Sequence, residues 1–492
     1  MNNARPPAFT RVPQSVALLG ALLLSGCATY TQNTQGMREA WSAGDVHQAA
    51  QVAQAKADQD KDSVTSLLWY LEAGATTRAD NSLDQSLTAF NNADAKIDYW
   101  DAQPDVSMTG QAASLLVNPT VLAYRGTAYD KIMESTYQAL NYLQLGRYDE
   151  ARVEINRALE RQRAAVQANA AHIAAAQSAA AQASTQARQE QENGTAGTEG
   201  SSYDVQRAQD DPEFQSHLNQ AYGNLDNLHF YAPYVNPFSV FLEGVYFLAR
   251  GESLADYERA RVALGRVRDM TGANDYIKAD YAAAAKLAAG GGELPPTTYV
   301  VFETGMAPIR EEIKIDIPLF IVSRSVPYVG IAFPQLRYNN QYNPGLTVTA
   351  SNTGPLHTTM LCDMDLVIGQ DFKNELPSII IKTLISAGAK AAAQYGLYLA
   401  TKNSGTLSIL TEVAGVVYQY ATNRADLRTW VTLPKQFLYC RLPTPPDGRL
   451  QITSDSTGET QTVDLPPGAV TMVYVKSNSY GNVLLVHAFT LR

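Results

Sequence analysis

The residues of this chain that are able to do chemistry are few and far apart. Its six histidines, His47, His172, His217, His229, His357 and His487, are scattered through 492 residues. None stands in an H-E-x-x-H pair or at the His–Cys spacing of a metal site, where ligands must lie a helical turn or a tight knuckle apart. The sequence has no G-x-S-x-G elbow, no phosphate-cradling loop and no dinucleotide fingerprint. No catalytic, metal-binding or cofactor-binding residue is expected, and hence no enzyme. Of the three cysteines, Cys362 and Cys440 share the C-terminal half. In an oxidising compartment such a pair is a candidate disulfide. Two buried thiols on neighbouring strands are the other state, and spacing alone leaves both open because the bond needs Cα atoms within about 7 Å.

Cys27 has a different setting. It ends the phrase Leu24-Ser25-Gly26-Cys27, after the apolar run Val16–Leu24 and with Arg5 and Arg11 ahead. A basic head, an apolar stretch too short to span a bilayer and small residues at the cut make a secretory signal peptide over residues 1–26. The phrase resembles a bacterial lipobox. The resemblance implies cleavage before Cys27 and acylation of its thiol and new amine. Ala28 stands where an aspartate would resemble an inner-membrane retention signal, so the expected location is the outer membrane, facing the periplasm. Several acyl chains hold a protein there stably, whereas one is marginal.

The formal charge is −10, and the mature chain without Arg5 and Arg11 is more acidic still. Such a surface repels polyphosphate backbones, so no nucleic-acid partner is expected. With 45% hydrophobic residues the chain is able to bury sizeable cores, and its length suggests two or three domains.

From Gln35 to about Ala289 apolar residues recur three and four apart, a helical pattern. Ser135–Glu160 places Ala139 and Tyr142 on one helix, Gly146-Arg147-Tyr148 at a turn, and Ala151, Ile155 and Ala158 on a second helix. Small residues at these places let two helices cross closely. This resembles a tetratricopeptide repeat, although Ser135 stands at the leading tryptophan position and no proline closes the unit. Weaker copies surround Gly44-Asp45-Val46, Tyr70 to Ala93, and Gly244 to Leu264, unevenly spaced. Stacked helix pairs curve and present a groove for other proteins. Tyr142, Tyr148, Phe238 and Phe247 are therefore candidate partner-binding residues, with core packing as their alternative role. Between these units, 161–212 is an Ala/Gln-rich segment with little to bury, expected as a long solvated helix and a flexible loop. Asn236 should cap a helix starting at Pro237.

After Gly290-Gly291-Gly292 the pattern turns to strands: Tyr299–Phe302, Glu312–Ile317, Leu346–Ala350, Leu361–Ile368, Leu438–Leu442, Leu450–Thr453, Val470–Lys476 and Val483–Thr490. Their spacing suggests a small β-sandwich. An apolar helical hairpin at 378–421, starting at Pro377-Ser378, is inserted among them; its burial or exposure is left open. The expected fold class is α+β: an irregular tetratricopeptide-like α-solenoid over 27–160 and 213–290, then a β-sandwich-like domain over 296–492 carrying the hairpin.

Two phrases stand out, Glu303-Thr304-Gly305-Met306-Ala307-Pro308 and Asp426-Leu427-Arg428-Thr429-Trp430. The first should turn after a strand. In the second, extended backbone would put Asp426, Arg428 and Trp430 on one face, with arginine over tryptophan as a cation–π contact. The order of lipobox, irregular helical repeats, Asn236-Pro237-Phe238, Val301–Pro308 and Asp426–Pro434 resembles a family of uncharacterised proteobacterial outer-membrane lipoproteins. Genes of that family often neighbour a lipoprotein activator of peptidoglycan synthases, which implies a role in cell-wall assembly by association. The expected function is a lipid-anchored protein-binding scaffold; the alternative is a self-assembling, homo-oligomeric component of an envelope machine.

Overall fold

A computed structural model describes residues 30–103, 120, 122–193, 203–272, 274–318, 328–401 and 424–492. The signal peptide, Cys27, most of the 193–202 loop and the second arm of the expected hairpin lie outside the described residues. The fold is mixed α+β, with helices first and sheets after them.

The helices are α1 (Tyr30–Asn33), α2 (Gln35–Ala43), α3 (Val46–Gln59), α4 (Ser66–Ala79), α5 (Leu83–Asp101), α6 (Ala128–Gln144), α7 (Tyr148–Glu192), α8 (Val205–Gln209), α9 (Pro212–Tyr222), α10 (Pro237–Arg250), α11 (Leu254–Thr271) and α12 (Asp275–Ala288). Helices α2–α3, α4–α5, α6–α7 and α10–α11 form four antiparallel pairs that pack on one another in chain order. Local chemistry sets their ends. Gly44 (φ +82°) stops α2 in the left-handed region, and Asp45 accepts from Gln48 N to start α3. A reciprocal Thr127–Asp130 box opens α6, satisfying two orphan N–H groups. Asn236 accepts from Phe238 N and Ser239 N ahead of Pro237, as the sequence predicts. Close crossings need glycine: a Cβ at Gly74 would meet Phe90 at 2.5 Å and one at Gly244 would meet Leu264 at 2.7 Å.

The strands are β1 (Thr297–Thr304), β2 (Ile309–Pro318), β3 (Tyr328–Arg337), β4 (Leu346–Ala350), β5 (Thr353–His357), β6 (Thr359–Asp363), β7 (Gln436–Pro443), β8 (Arg449–Ser454), β9 (Thr460–Asp464), β10 (Val470–Ser477) and β11 (Leu485–Thr490). They make a five-stranded sheet in the order β11-β10-β1-β7-β6, a four-stranded sheet β5-β4-β8-β9 and a separate β2–β3 ribbon. Strand β1 runs parallel to β10 and antiparallel to β7. The five-stranded sheet is thus central and has two covered faces. Tyr299, Val301, Tyr439, Met472 and Tyr474 join the core of the helical pairs. Val300, Phe302, Leu438, Val473 and Val475 join Leu346, Val348, Leu450 and Ile452 of the four-stranded sheet. Side chains alternate along a strand, so one strand is able to serve both cores.

The structure corrects two expectations from the sequence. The strand expected over 361–368 ends at Asp363, and α13 (Met364–Thr401) begins at once. Asp363 accepts from Asp365 N at 2.9 Å. Met364, Val367, Ile368 and Phe372 are buried at helical spacing, and this periodicity overrides the short apolar run. The helix accordingly does not start at Ser378; Pro377 lies inside it, where it lacks one N–H. The Ala/Gln segment, expected to bury little, is the distal part of the 45-residue α7. Its Ala176 and Ala180, one helical turn apart, share a second core with Phe214, Ile317, Phe333, Phe372 and Leu384. Small residues suffice there because the partner helix approaches closely.

Candidate functional site

The helix-facing side of the central sheet carries charges that an apolar strand rarely tolerates. Glu303 on β1 is 2% exposed. Its carboxylate accepts from Tyr137 Oη of α6 at 2.8 Å, and from Tyr474 Oη and Lys476 Nζ of β10. Burial pushes the Glu303 carboxyl up, but the Lys476 charge and these hydrogen bonds outweigh it and hold it below the usual range. Burial also lowers Lys476, and Glu303 offsets part of that. Arg78 of α4 lies 4.8 Å above the Tyr474 ring and donates to Asn141 at 2.7 Å. The cavity among these side chains is about 10 Å³, room for roughly one water. It is a lock between helices and sheet, too small for an organic substrate.

Two further carboxyls bridge helices to the β-region. Glu72 of α4, fully buried, accepts from Tyr30 Oη, Val431 N and Thr432 Oγ1 at 2.9, 2.7 and 2.6 Å. Burial still raises it to about 7. Asp280 of α12 accepts from Tyr299 Oη at 2.9 Å and pairs with Arg441 at 2.9 Å; burial raises it to about 6. Within the helical pairs, Arg161 of α7 bridges Glu134 and Asp94, and burial raises Glu134 to about 7. Each carboxyl is tied to donors, because a buried unpartnered charge is costly.

The sequence-predicted residues fall around this lock. Phe238 and Phe247 are about 1% exposed, which corrects their assignment as partner contacts. Phe238 stacks on Phe437 of β7 at 3.8 Å and 4°. Phe247 lies under Arg259 at 4.1 Å. Tyr148 donates to Thr490 O at 3.0 Å beneath Arg250, 3.7 Å from its ring. Tyr142 is half-buried with Arg147 over its ring at 4.6 Å. Three of the four aromatics thus meet β-strands or a neighbouring helix of the same chain. The helical pairs and one face of the central sheet share a single core.

Cys362 and Cys440 are free, buried thiols. Cys362 joins the helix-side core and Cys440 the sheet–sheet core, so they point to opposite faces and cannot bond. The reason is register: Cys362 pairs with Phe437, and Cys440 is three residues, an odd number, beyond it. The arginine–tryptophan contact is also corrected. Arg428 forms a two-pronged pair with Asp426 (2.8 and 2.7 Å) and lies over Tyr124 at 5.5 Å. Trp430 instead meets Phe90 and Tyr137 edge-on. Gly305 (φ +72°) does turn the chain after β1.

Sequence reading missed Glu303, Lys476 and Glu72 as structural centres. The available signal was a single charge inside an apolar run, as in Val-Val-Phe-Glu, Val-Tyr-Val-Lys and Leu-Trp-Tyr-Leu-Glu. Among the described residues no group of three His, Cys, Asp or Glu side chains is placed to hold a metal. No described helix is long and apolar enough to cross a membrane.

No protein-family model matches this chain, and no curated protein does. Among solved structures, a tetratricopeptide repeat protein from Parabacteroides merdae is similar at 14% identity, over 52% of this chain and 98% of that one, with a TM-score of 0.13. A likeness at that score carries no argument.

Proposed function

We propose that this chain is a lipid-anchored outer-membrane lipoprotein, facing the periplasm and acting as a non-enzymatic protein-binding scaffold in envelope assembly. The Leu24-Ser25-Gly26-Cys27 phrase supports the anchor. Helix pairs packed in chain order, followed by two sheets that share a core, support the scaffold. The observation that carries the reading is the filled inner face of the helical pairs. A tetratricopeptide groove ordinarily left for a partner is taken by the chain's own sheet, which leaves the outer helical surface as the place for partner contacts. Val153 on α7 and Leu254 on α11 are 54% and 58% exposed, on helices linked by Arg152 and Asp256 at 3.4 Å.

The anchor is tested by Cys27→Ala and membrane fractionation. The expected result is loss from the outer-membrane fraction with an unchanged thermal transition, since Cys27 precedes the first described helix. Retention of the variant in that fraction would sink the anchor.

A further inference from the structure

A groove separate from the filled interior opens where the first helices meet the β-region. Thr31, Gln35, Arg38 and Ser42 of α1–α2 form one wall, and Ile309 and Arg337 at the paired ends of β2 and β3 form the other. Val431 also lines it, and the cavity is about 470 Å³, within the range of small-ligand sites. Arg38 is half-buried and its guanidinium has no hydrogen bond or ion pair to any described residue. Arg337 lines the same groove, tied only to Glu311 in an exposed pair at 3.1 Å, a contact of small worth. Glu39, the acid of the lining, is engaged by Gln35 Nε2 at 2.8 Å.

Two like charges held near one another in a partly desolvated cleft repel. Burial and Arg337 together hold the Arg38 guanidinium below its ordinary value. An anion between them would relieve that repulsion and fill the donor fork of Arg38, whose planar geometry suits a two-oxygen acid group. The Thr31 hydroxyl adds a polar group to the lining, and Ile309 and Val431 add apolar surface.

We infer that this groove binds a small organic oxyanion, phosphate or carboxylate, with its acid group between Arg38 and Arg337 and its uncharged part on Ile309 and Val431. The test is calorimetric titration of the full chain with sn-glycerol 3-phosphate and with N-acetylglycine, using glycerol as the uncharged control. The expected result is saturable binding of at least one oxyanion, none of glycerol, and loss of affinity at high salt. Whichever oxyanion binds more tightly assigns the ligand as a phosphate or a carboxylate. Arg38→Gln should weaken binding roughly tenfold or more without moving the thermal transition, since this arginine has no internal partner to lose. Arg337→Gln is the second variant, should the first fail to fold. No saturable binding of either oxyanion at millimolar concentration, or undiminished affinity in both arginine variants, would overturn the assignment.

Discussion

The two faces of the central sheet solve the same packing problem in different ways. Toward the four-stranded sheet it presents Val300, Phe302, Leu438, Leu442, Val473 and Val475, an apolar layer that adheres through area alone. Toward the helices it presents Tyr299, Glu303, Tyr439, Tyr474 and Lys476, whose polar ends must each find a partner. An apolar face tolerates small slips and substitutions of similar volume. A face with a buried ion pair does not, because any shift leaves a charge unpaired. The helix-side contact therefore fixes where the sheet docks, and the sheet-side contact adds cohesion with less positional demand.

Breaking the charged face should have the largest effect. Lys476→Met leaves the Glu303 carboxylate buried without its cation and should destabilise the protein by about 3–5 kcal/mol, read from urea unfolding. The double variant Glu303→Gln with Lys476→Met should recover most of that loss, since the pair as a whole is close to neutral against apolar replacements. A double variant no more stable than Lys476→Met would deny that the two charges act as a unit. On the apolar face, Val475→Ala deletes two methyl groups and should cost about 1–2.5 kcal/mol. Unlike Lys476→Met, it should have no partner substitution on the neighbouring strand that rescues it.

A pH series sharpens the same contrast. Glu72 titrates at about 7 in the folded chain against 4.5 as an ordinary glutamate. The folded state therefore holds the proton longer, and stability falls as pH rises from about 4.5 to 7, by roughly 3–4 kcal/mol from this group. Glu134, also at about 7, acts with the same sign. Glu303 has the opposite sign: its depressed value contributes stability above the ordinary carboxylate range, lost as pH falls through the folded value. Glu72→Gln keeps an acceptor for Tyr30 and Val431 and should flatten the slope between pH 5 and 7.5 in urea midpoints. An unchanged slope would remove Glu72 as its source. The smallest expected effect is that of reductant. With Cys362 and Cys440 on opposite faces of the sheet, dithiothreitol should leave the melting temperature unchanged. A reductant-dependent drop would mean that β6 and β7 pair in a different register, with both thiols on one face.

Much of the fold was legible because it rests on short-range signals. Gly44, Gly146 and the Asn236-Pro237 cap mark helix ends by local backbone chemistry, and Ala139, Ala151 and Ala158 mark close crossings by size. Strand β10 reads from Val470–Lys476 alone. What was not legible depends on distant partners. Nothing near Phe238 announces the stack on Phe437, and nothing near Arg428 shows that Asp426 and Tyr124 claim it in place of Trp430. Helix α13 hid behind a run that reads equally as strand, since Leu361 to Ile368 is apolar under either period until Phe372 is counted. The groove at Arg38 is assembled from residues about 270 and 300 positions apart in sequence, so no local pattern could contain it.

The central claim, that the inner face of the helical pairs belongs to the chain's own sheet and the outer face to a partner, is tested most directly by in-cell photo-crosslinking. A photoreactive residue at Val153 or Leu254 should capture a recurring envelope protein. The same residue at Tyr148, whose hydroxyl reaches Thr490 O of β11, should yield crosslinks within the chain only. Intermolecular products from Tyr148, with none from Val153 or Leu254, would contradict it.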